Sequence, residues 1–163
     1  MLKSTGNDVY SMILWRFWRL SWQDRLLLVE AILWLTIAGL AIAVLPFRHV
    51  GLLAARPIKL HRPNLARQER LNKVWRIRWA VIAGAARVPW RALCFQQGLA
   101  AQLMLRRRSI PSVLYYGLAQ DDRSGLHAHV WVRAGDFNVI GGEIASSFTV
   151  LATFPSADSN QVL

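Results

Sequence analysis

Cys94 is the only cysteine of the 163-residue chain, and it stands in "RVPWRALCFQQGLAAQLMLRRRSIP" (87–111). Two histidines, His127 and His129, follow in "LHAHVWVRA" (126–134), and the acids Asp136 and Glu143 flank "FNVIGG". A thiolate attacks carbonyl carbon, an imidazole beside it takes the thiol's proton, and an acid behind the imidazole sets its tautomer and orientation. The strand period of two puts His127, His129 and Trp131 on one face. With a hairpin turn centred on Gly135, the antiparallel partner of residue 129 falls near 141. Glu143 is then about one pair away, while Asp136 sits in the turn. Two other readings stay open. A free cysteine commonly packs as a small hydrophobe, and the H-x-H pair with an acid or Cys94 forms part of a zinc ligand set.

The elements that must position these groups are legible in outline. Pro89 is favoured in a first helical turn, so a helix is expected from there through Cys94 to the three arginines 106–108, which suit its negative end. Leu93, Gln97, Ala100, Ala101 and Met104 form its stripe, and Ser109-Ile110-Pro111 stop it. Cys94 then lies in the first or second turn, where unpaired N–H groups and the dipole favour negative charge and can receive an oxyanion. The pattern next alternates: strands are expected over 112–120, 126–134 and 137–143, with turns at 121–125 and 135–136. Residues 146–154 read as a further short strand or a helical turn.

Before Cys94 the chain is helical. Residues 9–22 alternate aromatics with arginines at helical spacing, an amphipathic segment docked on the body or lying in a membrane interface. Residues 31–47 are uncharged and end near Pro46, a run of about 17 residues at the lower limit for spanning a bilayer. It reads either as a buried core helix or as a membrane-associated one. Residues 56–68, with His61, read as an irregular connection, and 70–88 as a helix with Val74, Ile77, Val81 and Ile82 at three- and four-residue steps. Helices first and a small antiparallel sheet after them define an α+β class: an amphipathic segment over 1–25, one domain over 26–155 and a disordered tail over 156–163.

Composition narrows the function. Hydrophobic residues make up 54% with eight tryptophans, which excludes a disordered chain. One cysteine excludes a disulfide scaffold and fits a reducing cytoplasm. The N-terminus lacks the short apolar core and small-residue cleavage site of a signal peptide. Twenty Lys and Arg against nine Asp and Glu give +11, and residues 48–108 hold fourteen of those bases against Glu69 alone. That surface attracts an anionic partner. Nucleic acid is not expected, because no zinc-finger spacing, RNP-like aromatic pair or helix-turn-helix accompanies the charge.

The order of "LPFR" (45–48), "CFQQGLAAQLMLRRRSIP", "LHAHVWV" and "FNVIGG" resembles the lasso-peptide biosynthesis B2 proteins, transglutaminase-like leader peptidases, over roughly residues 25–155. The resemblance implies a transglutaminase-like (papain-like) cysteine peptidase core with Cys94 as nucleophile and His129, at the family's "HxW" position, as base. Gly141-Gly142 stand where the family often has Asp, and Arg133 replaces the acid of its "HAWVE" strand. Glu143 is therefore the first choice for third member and Asp136 the second. The implied reaction removes the leader of a ribosomally made precursor through a thioester, with no metal or organic cofactor. A separate cyclase of the asparagine-synthetase type then closes the macrolactam. The family's winged-helix-like leader-recognition element does not fit within residues 1–25, so it is expected on a separate protein or on a longer form of the chain. The alternative is a non-catalytic, basic, membrane-associated scaffold with the same fold, held to lipid through residues 9–47.

Overall fold

In the computed structural model, residues 20–44, 46, 66–121 and 125–155 are described. The expected amphipathic segment (but for its last residues), the "LPFR" motif apart from Pro46, the connection with His61 up to residue 65, residues 122–124 of the expected turn and the tail all lie outside these residues. Helix α1 spans Trp22–Val44. Ser21 starts it: its Oγ accepts the Asp24 N–H at 3.2 Å and donates to the Asp24 carboxylate at 2.6 Å, satisfying an N–H that a helix start otherwise leaves unpaired. The helix is long and apolar enough to cross a membrane, yet one face is committed to the body. Leu27, Leu28, Ala31, Leu35 and Ala38 are buried, and Trp22, Leu26, Val29, Leu33, Ile37 and Leu40 are exposed on the other side.

Helix α2 (Arg67–Ala85) buries Val74, Ile77, Ala80, Val81 and Gly84. Ile82, expected in the core stripe, is exposed instead. A Cβ at Gly84 would stand 3.2 Å from Leu35, so the glycine lets α1 and α2 approach. Helix α3 (Cys94–Arg107) lies between those helices and the sheet. It does not begin at Pro89. Residues 86–90 form turns, with the Arg87 and Val88 N–H groups donating to Gly84 O, and the chain reaches α3 extended. Glutamine side chains hold that approach: the Leu93 N–H donates to Gln96 Oε1 at 3.2 Å, and Gln97 Nε2 donates to Ala92 O at 2.8 Å. At the other end, Arg108 donates to both oxygens of Glu30 at 3.0 and 2.6 Å, tying α3 to α1. Burial pushes the Glu30 carboxyl up, but the Arg108 and Arg107 guanidinium groups outweigh it and hold the carboxyl below the usual range.

Strands β1 (Val113–Asp121), β2 (Gly125–Ala134), β3 (Phe137–Ile140) and β4 (Thr149–Phe154) form an antiparallel sheet in the order β3-β2-β1-β4. The architecture is the expected α+β. Strand β3 stops three residues short of the expected Glu143, because Gly141 takes a left-handed conformation (φ 69) and turns the chain into a 3₁₀ helix over Gly142–Ser147. The segment after it is a strand. Leu99, Met104, Leu105, Ile110, Leu114 and Val130 are fully buried in the core, and truncating one such leucine to alanine costs about 2–5 kcal/mol.

Candidate active site

Cys94 is the first residue of α3, so the positive end of the helix dipole falls on a half-buried thiol. Gly98, one turn later, packs against β2: a Cβ there would lie 2.8 Å from Val130 Cγ1. The glycine lets the helix settle directly on the strand, at the residue next to His129.

His129 is held on all sides. Its Nε2 lies 2.8 Å from Gly141 O. A carbonyl oxygen only accepts, so Nε2 carries the proton and Nδ1 of the neutral ring keeps its lone pair. Trp131 stacks on the imidazole (centroids 6.0 Å, 18° between planes) and itself stacks on Tyr115 (5.4 Å, 4°). Phe148, just past the 3₁₀ helix, closes the other side at 4.9 Å. Gly117 leaves the space that the Trp131 ring fills: a Cβ there would stand 2.9 Å from it. Gly141 is equally constrained, for a Cβ on it would meet Val130 O at 2.6 Å and His129 Nε2 at 3.1 Å. Where the resembled family often has Asp, this backbone therefore admits no side chain; a main-chain oxygen occupies the position behind the imidazole.

Glu143 stands at the start of the 3₁₀ helix and pairs with Arg78 of α2 at 2.6 Å, while Arg78 also donates to Val139 O at 2.7 Å. Its own backbone N–H and the Arg78 guanidinium hold the Glu143 carboxyl below its usual range against a smaller opposing effect of burial. Cys94, His129 and Glu143 line a single cleft of about 270 Å³ together with Arg78, Ile82, Gln97, Ile140 and Gly141. Asp136 is not there. It occupies the hairpin turn beside Arg67, Arg70 and Leu71, at a different cleft. His127 lies two residues further from the β2–β3 turn than His129, in the exposed part of β2. Among the described residues no group of three His, Cys, Asp or Glu side chains is placed to hold a metal ion, so the H-x-H pair has no third ligand there.

Four contributors escape reasoning from residue types. Arg78 reads as one cation on a mixed basic face, Ile82 and Gln97 as members of helical stripes, and Gly141 only as a missing acid. The signal for Gly141 is the Gly-Gly pair directly after an alternating run, which marks a backbone excursion and not an empty position.

A family model described as the transglutaminase-like superfamily matches residues 38–153, well over half of the chain. The match spans Cys94, the sheet but for the last residue of β4, and the 3₁₀ helix. The chain belongs to the transglutaminase-like superfamily, which commonly carries cysteine peptidase activity. No curated protein and no solved structure matches it.

Proposed function

We propose that the chain is a cysteine peptidase that cleaves one peptide bond of a ribosomally made lasso-peptide precursor and releases its leader. The observation that carries the reading is the pairing, in one cleft, of a thiol at the first residue of α3 with an imidazole whose Nε2–H is held by Gly141 O. Held so, His129 keeps Nδ1 as its base nitrogen, the property an orienting acid supplies in a triad. Nδ1 takes the Cys94 proton as Sγ bonds to the scissile carbonyl carbon. The oxyanion meets the Cys94 N–H at the helix start and the second Gln97 Nε2–H, the first being held by Ala92 O. Collapse breaks the C–N bond, and the imidazolium gives its proton to the leaving amine. A water deprotonated by Nδ1 then hydrolyses the thioester, releasing the carboxylate and restoring the thiol.

The order of motifs supports the lasso-peptide assignment, with a separate leader-recognition protein and an asparagine-synthetase-like cyclase as partners. No cofactor enters the chemistry. A scaffold that holds substrate for a partner enzyme is the second reading, favoured by one observation: among the described residues the only acid lining the cleft, Glu143, is committed to Arg78.

Mass analysis after incubating full-length chain with precursor and recognition protein separates the two. A single cleavage, with an acyl adduct on Cys94 in rapidly quenched samples, is expected of the peptidase. Cleavage by Cys94→Ala at the wild-type rate would sink it.

A further inference from the structure

Trp75, Trp79 and Ile82 recur at steps of four and three along α2 and so share one face. All three are exposed, at 55%, 37% and 44%. With Arg78, Ala83, Ala86 and Arg87 they line a groove of about 460 Å³, within the size range of sites that bury a small organic group. Arg78 and Ile82 also line the cleft that holds Cys94 and His129. The groove and the cleft therefore adjoin along α2, with Arg78 and Ile82 at their common edge.

The charges along this groove differ. Arg78 is neutralised by Glu143 at 2.6 Å, and its guanidinium lies 6.0 Å from the centre of the Trp75 ring, bracing the indole. Arg87 donates to Ala83 O at 2.6 Å, and among the described residues no carboxylate pairs with it. The groove thus offers aromatic surface toward Trp75 and Trp79 and an uncompensated cation toward Arg87. Trp79 stands six residues before the end of α2, roughly 9 Å of helical rise, and Arg87 lies two residues past that end in the turn, so about three to four residues of extended peptide span the two.

We infer that this groove is a recognition subsite for the peptide substrate itself. It takes a bulky apolar or aromatic side chain against Trp75 and Trp79 and an acidic side chain, three to four residues away, at Arg87. The inference rests on the peptidase reading only in taking the substrate as the occupant; the binding can be measured without turnover. A peptide lying in the groove crosses the cleft at Ile82 and covers Cys94, so it slows alkylation of the thiol.

The probe is a pair of acetylated, amidated alanine-based octapeptides. One carries Phe and Glu four positions apart, and the other has both replaced by Ala. Each is titrated against the rate at which iodoacetamide alkylates Cys94 in the full chain. The Phe/Glu peptide is expected to protect at a concentration at least about tenfold lower than its control, from burial of one aromatic side chain. Trp79→Ala should erase most of that ratio, and Arg87→Ala the part due to Glu, with Arg87→Lys restoring much of the latter. Reading the ratio of two peptides within each variant cancels any change in the alkylation rate itself. Equal protection by the two peptides, or an unchanged ratio in Trp79→Ala, overturns the subsite. Absence of protection specificity in the wild type together with intact precursor cleavage would do the same while leaving the peptidase reading standing. Specific protection without any cleavage would overturn the peptidase reading and leave the subsite standing.

Discussion

The two ends of β3 carry the same sequence device and use it differently. At one end Gly135 (φ 61) is followed by Asp136; at the other Gly141 (φ 69) is followed, one residue on, by Glu143. Around Gly135 nothing lies within 4 Å of where a Cβ would be, so its glycine serves only the turn. Around Gly141 the same atom would strike Val130 O and the His129 ring. A left-handed glycine at a hairpin tip closes the hairpin. The same conformation beside a packed imidazole aims a carbonyl oxygen at Nε2. The two acids differ in parallel, one in a turn beside α2 cations, the other bonded to Arg78 within the cleft.

The largest expected effect sets the two glycines against each other. Gly141→Ala must displace Gly141 O or the His129 ring, and misplacement on the scale of 1 Å costs about a hundredfold in rate, so kcat/KM for leader cleavage should fall by at least that much. Gly135→Ala carries only the left-handed strain of about 1–2 kcal/mol, visible as a lower denaturation midpoint with cleavage nearly unchanged. The imidazole 15N shifts of His129 supply an independent reading: wild type should show the neutral ring protonated at Nε2, and Gly141→Ala a mixture. Similar cleavage by the two variants would end the distinction between the two ends.

The acids give a smaller contrast. With Gly141 O orienting the ring, Glu143→Gln removes a nearby charge and an Arg78 pair but not the orienter, and kcat/KM should drop by roughly three- to tenfold, against the roughly ten-thousandfold reported for neutralising a true triad acid. Asp136→Asn, at the other cleft, should stay within about twofold of wild type, as a charge several residues along the hairpin is largely screened. A drop with Glu143→Gln near that of a triad acid would return the orienting role to the carboxylate.

The comparison also shows where sequence reading succeeds. The strand period, the Gly-Asp turn and the helical steps of Val74, Ile77 and Val81 express local and binary patterns, and they place His129 near residue 141 from counting alone. The start of α3 is not legible in that way. Pro89 is a sound first-turn signal, but the side chains of Gln96 and Gln97 hold residues 92 and 93 extended and delay the helix to Cys94. The third partner of the site is illegible for a deeper reason. Residue types advertise side chains, and here the group behind the imidazole is a backbone oxygen, whose direction depends on a φ angle and on the packing of Val130 and Phe148. Ile82 follows the same logic: its spacing matches the buried stripe, and only the position of the sheet leaves it facing the cleft.

The smallest effect concerns stability and comes from the sign of one titration. The Glu143 carboxyl is held below its usual range in the folded protein, so the unfolded chain takes up its proton first as the medium is acidified. Its contribution to stability is complete above the ordinary glutamate value, about 4.5, and is lost as pH falls through the lower folded value. Glu143 is 61% exposed in its pair with Arg78, and solvent screening limits such a pair to about 0.2–1 kcal/mol. Wild type and Glu143→Gln should therefore differ by at most that amount in urea denaturation at neutral pH, and converge as the medium is acidified below the ordinary glutamate range. If instead they diverge on acidification, the carboxylate is not held ionised by Arg78, and the electrostatic separation between the two ends of β3 fails with it.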